Sequence, residues 1–267
     1  MKLDDREYVA AQYGDSANFD ARVRIYELYD VSDERMQRWL FPRLRLREGE
    51  RVLEVGCGAG NLWRDNAERL PARLALTLTD LSPGMLDEAR ARLAALAPAP
   101  DFRPADVQSL PFPDASFDAA IANHMLYHVP DRAKALAELR RVLRPGGRLI
   151  AVTYPWTHLL ELRAALEDLG LNGMMLPLRR GADEFDLELG AEEVARVLRI
   201  YAVERRDSWL AVRDTDTLLA YVRSNGRAAS LPAAALEPLR ARAARQIELA
   251  GAFRIQISAA AICAVRD

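Results

Sequence analysis

Ten residues, Val52 to Asn61 (VLEVGCGAGN), constrain the fold of this chain more than any other stretch. Val52, Leu53 and Val55 form a short apolar, largely β-branched run suited to a parallel strand covered on both faces. Gly56, Gly58 and Gly60 follow at alternate positions, where the missing Cβ permits positive φ and lets backbone N–H groups approach a ligand. Asn61-Leu62-Trp63 then opens a helix whose initial N–H groups lack intrahelical partners and face the same space. By itself this is also the pattern of a glycine-rich strand-to-helix turn with nothing bound. The rest of the chain separates the two readings.

With 267 residues and 50% hydrophobic content, the chain can bury a full core as one large domain or one domain with a sizeable insertion. No run of eighteen apolar residues occurs, so no membrane span is expected. The opening MKLDDREYVA has neither the apolar run nor the cleavage pattern of a secretory signal. Cys57 and Cys263 are the only cysteines and lack CxxC spacing, which fits a reducing cytoplasm and argues against structural zinc. The net charge is −2 with both signs interspersed, so the basic stripe of a nucleic-acid binder is missing. Basic residues are nearly all Arg, Lys2 and Lys134 being the exceptions, a compositional bias that lowers the weight of any single arginine.

Residues 1–50 read as a helical cap. Phe19, Val23, Ile25 and Tyr26 share one helical face, and Met36, Trp39, Leu40 and Leu44 another, with Ser32 available as a cap of a helix from Asp33 to Leu44. Tyr8 and Tyr13 stand where a leading segment reaches a ligand site. After the glycine turn, Leu62 to Leu70 reads as one helix stopped by Pro71. Arg73 to Asp80 is a second apolar strand ending in an acid, about twenty residues beyond the last glycine, where a carboxylate can accept two hydrogen bonds from a ribose diol. Ser82-Pro83 caps the next helix with Pro83 at its first position. Asp101 to Ala105 is a weak third strand leading to Asp106-Val107, a carboxylate for an exocyclic amine beside an apolar surface for a flat base. Ser116 to Ala122 is the fourth strand, ending at Asn123-His124. Arg132 to Leu143 is an amphipathic helix with Ala133, Leu136, Leu139, Val142 and Leu143 inward. Arg144-Pro145-Gly146-Gly147 turns into a fifth strand, Arg148 to Thr153.

Strands and helices thus alternate five times, the pattern of a parallel α/β sheet with right-handed crossovers. Beyond Thr153, a helix from Trp156 to Leu169 and the aperiodic stretch to Asp186, with Met174-Met175 and Arg179-Arg180, read as an insertion over the strand ends. A helix from Ala191 to Leu198, a strand from Val203 to Val212, a helix from Asp214 to Ser224 and a long helix from Ala233 to Ala250 follow. Phe253 to Val265 ends the chain as an antiparallel strand beside Val203 to Val212. The expected architecture is α/β: a doubly wound, mostly parallel seven-stranded sheet with an antiparallel last strand, an N-terminal helical cap and a lid insertion after the fifth strand.

Four separated motifs, LEVGCGAGN, LTLTDLSPGML, ADVQSLPFPDASFDAAIANHMLYHVPD and LRRVLRPGGRLIAVT, together resemble the class I S-adenosylmethionine-dependent methyltransferases. The resemblance runs from about Arg51 to Thr153 and is to the small-molecule group that includes the ubiquinone/menaquinone-biosynthesis type. It implies S-adenosylmethionine as cofactor, S-adenosylhomocysteine as product and a small-molecule acceptor. It implies a division into a cap (1–50), a cofactor core (51–153), a lid (154–200) and a sheet-completing segment (201–267). Glu54, Gly56, Cys57, Gly58 and Gly60 would surround the methionine part, Asp80 would hold the ribose hydroxyls and Leu81 would flank the adenine. Asp106 and Val107 would meet the adenine edge, and the backbone near Asn123 the cofactor's amino group.

A nicotinamide-dependent oxidoreductase is the main rival, since an acid after the second strand serves both. Its fingerprint is G-x-G-x-x-G, whereas here the third glycine is Gly60 and Asn61 takes the last position. A protein that holds the cofactor without transferring a methyl group is also open. Methyl transfer from a sulfonium needs positioning above all, and no side chain is obligatory. Of the three histidines, His124 follows the fourth strand and is the candidate base; His128 reads as a loop residue and His158 as a helix residue of the lid. The His124/His128 spacing lacks a third ligand, so no metal is expected. Tyr13, Tyr26, Tyr127, Trp156 and the Met174-Met175 pair are candidate walls of the acceptor pocket, and Arg179-Arg180 a candidate attraction for an anionic acceptor.

Overall fold

The structure is a computed structural model and describes residues 17–171, 185–224, 228 and 231–267. Seven strands, β1 (Arg51–Val55), β2 (Ala75–Asp80), β3 (Asp101–Pro104), β4 (Phe117–Asn123), β5 (Leu143–Thr153), β6 (Arg199–Val212) and β7 (Phe253–Val265), form one sheet. Their order is β3-β2-β1-β4-β5-β7-β6. All neighbours are parallel except at β7, which runs antiparallel to both β5 and β6. The expected seven-stranded sheet with its antiparallel last strand is present, and the strand order reverses between β1 and β4. In open α/β sheets, ligands lie outside the carboxyl ends of the strands at that reversal.

The period-two alternation of a strand sends successive side chains to opposite faces. Leu53, Val55, Ala120, Ala122, Leu149 and Ala151 enter one core with helices α5 (Arg132–Val142) and α7 (Leu187–Ala195). Val52, Ile121, Ile150 and Val152 enter the other, against α2 (Met36–Leu40), α3 (Asn61–Arg64) and α4 (Pro83–Arg92). A third core stands beyond the sheet. The β5–β7 pairing stops at Thr153 opposite Ala260, while Phe253 to Ala259 continues paired with β6 alone. This two-stranded ribbon carries Phe253, Ile255, Ile257, Leu210 and Val212 into a cluster with α1 (Ala17–Tyr29), α6 (Leu160–Asp168), α8 (Thr215–Arg223) and α9 (Glu237–Ala250). The cap is therefore assembled from both ends of the chain and from the segment after β5.

Several helix boundaries differ from those expected. Leu62 to Leu70 is not one helix: α3 stops at Arg64 and a 3₁₀ turn spans Ala67–Arg69. Asn66 is fully buried and its Nδ2 donates to the carbonyls of Leu62 and Gln37, so it ends the helix and ties α3 to α2. The helix expected from Asp33 starts at Met36 and passes into a 3₁₀ turn at Phe41–Leu44 through Pro42. Ser32 does not cap it, because its hydroxyl bonds the Glu34 carbonyl and it joins Asp30 and Arg206 in a network on β6. The helix expected from Trp156 begins at Leu160. On α5, Ala133 is exposed and Ala135 buried. Ser82 caps α4 through Met85 N–H with Pro83 at the start, as the sequence suggests.

Candidate functional site

At the carboxyl end of β1, the chain needs three left-handed residues in close succession: Gly56, Gly58 and Gly60 have φ of +64°, +52° and +75°. A Cβ on Gly56 would lie 2.8 Å from Met125 Cβ, and one on Gly60 2.8 Å from Leu93 Cδ1, so these two glycines permit contact with the β4 loop and α4. A Cβ on Gly58 would meet nothing within 4 Å. Gly58 therefore faces open space, and its N–H donates to Asp80 Oδ2 at 2.9 Å. The other oxygen of Asp80 accepts from Ser82 N–H at 2.9 Å. Burial raises the Asp80 pKa, opposed by the hydrogen bonds from the Ser82 and Gly58 amides. The carboxylate is thus fixed at the end of β2, with lone pairs left for further donors. Leu81 beside it is 52% exposed, a large apolar side chain next to this carboxylate.

Glu54 and Cys57 lie on the core side of this turn. Glu54 is 1% exposed and its Oε2 accepts from Trp63 Nε1 at 2.5 Å. Desolvation raises its pKa to about 8, with the nearby Asp80 charge adding to the rise and the Trp63 bond opposing it. Its carboxyl ties β1 to α3. The thiol of Cys57 packs in the apolar core of that face, and burial pushes its pKa up; its N–H extends the β1–β2 ladder to Thr79 O at 2.9 Å. At the end of β3, Asp106 accepts from Gln108 N and Nε2, both at 2.9 Å, and Val107 is buried.

Beyond β4, Asn123 donates its Nδ2 to Gln37 Oε1 at 3.3 Å, so α2 reaches the site. Asn123 Oδ1 is buried without a hydrogen-bond partner among the described residues, and so is His124 Nδ1. His124 has φ +55°, a left-handed conformation uncommon for a side-chain-bearing residue. Its ring stacks on Tyr154 (centroids 4.2 Å apart, 21° between planes), and Tyr154 stacks on His158 (4.0 Å, 16°). Tyr127 lies 6.0 Å from Tyr154. His158 Nδ1 accepts from Ser258 N–H at 3.1 Å, so in the neutral ring Nε2 carries the hydrogen, and it meets Tyr26 Oη at 3.3 Å. Tyr26 Oη lies 3.3 Å from Tyr221 Oη. Desolvation lowers the pKa of both His124 and His158 to about 3.

The structure thus brings Tyr26, Tyr127 and His124 into one aromatic group. Trp156 is 43% exposed and has no part in it. Tyr8, Tyr13, Met174, Met175, Arg179 and Arg180 lie outside the described residues. His158, expected on a lid helix, sits in the turn before α6 and is 4% exposed. Tyr154, Tyr221, Ser258 and Gln37 were not singled out from the sequence; only the adjacency of Tyr154 to the end of the fifth strand pointed toward it. Among the described residues, no group of three or more His, Cys, Asp or Glu is placed to hold a metal ion.

The cleft suits S-adenosylmethionine on three counts of its own chemistry. The Gly58 side is open, the Asp80 carboxylate can accept from a vicinal diol, and the orphaned Asn123 Oδ1 can accept from an ammonium group. A family model described as a methyltransferase domain matches residues 53–151. A malonyl-[acyl-carrier protein] O-methyltransferase of Erwinia pyrifoliae is 32% identical over 199 residues, 74% of this chain and 70% of that protein. The ubiquinone/menaquinone biosynthesis C-methyltransferase UbiE of Bordetella avium is 34% identical over 151 residues, 53% of this chain and 59% of that protein. Three further relatives, 38–40% identical, are spanned over only 33–45% of their own length. The solved structure of the [4+2]-cyclase SpnF shares the fold, with a TM-score of 0.55, 21% identity and 93% of each chain covered. With the sheet order, the glycine turn and a relative matched over most of both chains, the protein belongs to the class I S-adenosylmethionine-dependent methyltransferases.

Proposed function

We propose that the protein transfers a methyl group from S-adenosylmethionine to a small-molecule acceptor. The observation that carries this is the Gly58–Asp80 pair, an open-faced left-handed glycine bonded to a carboxylate at the carboxyl ends of β1 and β2, beside the sheet's strand-order reversal. In this reading the Glu54–Gly60 turn surrounds the methionine part, Glu54 and Cys57 through the backbone they shape. Asp80 takes the ribose hydroxyls, Leu81 and Val107 flank the adenine, Asp106 meets its amino edge and Asn123 the cofactor's ammonium. When bound, the cofactor supplies an electrophilic methyl group and leaves as the neutral thioether S-adenosylhomocysteine. The protein's part is to align the acceptor and exclude water. In this reading His124 is the candidate base for the acceptor's proton, against the desolvation that disfavours its charged form.

The acceptor lies between the sheet and the cap, with Tyr26 and Tyr127 as walls and Trp156 at the rim. The relatives named above act, by their names, on a carrier-bound malonyl group and in quinone biosynthesis, both acceptors outside the nucleic acids. A cytoplasmic setting suits two buried, unbridged cysteines. A second reading, cofactor binding without methyl transfer, has support in the shared fold of a protein described as a [4+2]-cyclase. Incubation with methyl-labelled S-adenosylmethionine and a low-molecular-weight metabolite extract distinguishes the two. Label appearing in extractable small molecules, in step with S-adenosylhomocysteine, supports transfer. Label confined to nucleic acid, or to protein in a form that cleavage of carrier thioesters does not release, contradicts the acceptor class, and cofactor that binds without turnover favours the second reading.

A further inference from the structure

Gln37 joins α2 to the cofactor cleft, and its backbone is held from two sides. Its carbonyl accepts from Phe41 N–H at the end of α2, and from Nδ2 of the fully buried Asn66 at 3.0 Å, which ties α2 to α3. Its side chain is half-buried and reaches the end of β4, where Oε1 accepts from Asn123 Nδ2 at 3.3 Å. One hydrogen bond between two carboxamides uses one oxygen and one amide hydrogen. Two groups are left over. Asn123 Oδ1 is buried with no hydrogen-bond partner among the described residues, and Gln37 Nε2 has no partner there either. Turning both amides over exchanges the two residues' roles and leaves the same pair of groups free, one carbonyl oxygen and one amide NH₂. A buried polar atom in a folded protein normally has a partner, so an orphaned oxygen beside a free donor at a cleft calls for a ligand that carries both complements.

We infer that Gln37 and Asn123 together hold the amino-acid end of the cofactor, Asn123 Oδ1 accepting from its ammonium and Gln37 Nε2 donating to its carboxylate, so that Gln37 is a specificity-determining residue for that carboxylate. The inference rests on the methyltransferase reading above and extends its cofactor site to α2. A carboxylate brought into the cleft needs donors, because a buried charge without them keeps its full desolvation cost. Three amides of the glycine turn are already engaged: Cys57 N–H donates to Thr79 O at 2.9 Å, Gly58 N–H to Asp80 Oδ2 at 2.9 Å and Gly60 N–H to Cys57 O at 3.1 Å. The free NH₂ of Gln37 meets that need. The amino-acid end is a zwitterion without net charge, and two neutral amides match it without leaving a charged side chain unpaired when the site is empty. S-adenosylmethionine and S-adenosylhomocysteine share this end. The contact is therefore equal before and after transfer, and the product complex reads it without turnover.

Calorimetry of the full chain with S-adenosylhomocysteine and with its decarboxylated analogue, which keeps the adenosine, the sulfur and the amine, isolates the carboxylate contact. The parent is expected to bind S-adenosylhomocysteine about tenfold more tightly than the analogue. Gln37→Leu lowers the affinity for S-adenosylhomocysteine about tenfold and leaves that for the analogue within about twofold of the parent value. Gln37→Glu keeps an oxygen for Asn123 Nδ2 and sets a negative charge against the ligand's carboxylate, so S-adenosylhomocysteine binding falls about a hundredfold while the analogue does not weaken. Asn123→Ala weakens both ligands, since both carry the amine. Retained binding of the analogue shows that the Gln37 variants keep an intact fold and cleft. Gln37 variants that bind S-adenosylhomocysteine as the parent does, or that lose both ligands in the same proportion with unchanged thermal unfolding, overturn the inference alone. Tighter binding of both ligands by Gln37→Glu would assign Gln37 to the ammonium and overturns it as well. Failure of the parent to bind either ligand overturns the methyltransferase reading and this inference with it.

Discussion

Glu54 is a buried acid and Asp80 a half-buried one near the same turn, and their partners set them apart. Asp80 accepts from the backbone amides of Gly58, Ser82 and Leu81 and retains capacity for a diol, so Asp80→Ala should weaken binding of S-adenosylhomocysteine by about 1–3 kcal/mol through lost charge-assisted hydrogen bonds. Isothermal calorimetry measures this, and unchanged affinity would remove the ribose assignment. Glu54 serves the fold. In the unfolded chain its carboxyl ionises near the ordinary glutamate value, about 4.3, whereas in the folded chain it holds its proton to about 8. Its contribution to stability is therefore complete below the unfolded value and declines as pH rises through the folded one, at no more than about 1.4 kcal/mol per pH unit. Glu54→Gln keeps an acceptor for Trp63 and does not titrate. In urea denaturation, its stability relative to the parent should rise between about pH 5 and pH 8. A constant difference across that range would show that Glu54 does not carry this burden.

At the scale of elements, the glycine turn divides into packing and binding positions. Gly60→Ala forces a left-handed alanine against buried Leu93 and should destabilise the fold by about 2–4 kcal/mol, the strain and overpacking costs combined. Gly58→Ala carries only the backbone strain, about 1–2 kcal/mol, because its Cβ enters open space, yet it should reduce S-adenosylhomocysteine affinity more than Gly60→Ala does. Thermal unfolding and calorimetry on the two variants separate these roles; the opposite ranking of affinities would place the cofactor elsewhere. The strands were legible in the sequence because β-branched runs, Gly turns and the Ser82-Pro83 cap are local signals. The ends of α2 and α3 were not, since Asn66 and Ser32 bond to partners on other elements that local pattern does not reveal.

For the whole molecule, the notable feature is that the cap has a core of its own, organised on the part of β7 that outruns β5. Phe253 is 2% exposed at the far end of that ribbon, and Phe253→Ala should destabilise the protein by about 3–5 kcal/mol, as truncation of a packed aromatic does. A loss below about 1 kcal/mol in chemical denaturation would mean that the cap core contributes little to the cooperative unit. The last strand was legible as antiparallel to its neighbours, but its overhang was not, because strand length in the sequence does not reveal where pairing with β5 ends. The aromatic column was hidden for the same reason. Tyr26, Tyr154, Tyr221 and Ser258 belong to four distant segments, and only the folded register brings them to His158.

The central claim is that the cleft at the end of β1 holds a sulfonium nucleoside and not a dinucleotide. Calorimetry of the full chain with S-adenosylhomocysteine and with NADH tests it most directly. Saturable binding of S-adenosylhomocysteine at one site per chain, with no heat of binding for NADH, is the predicted result. Binding of NADH alone would contradict it.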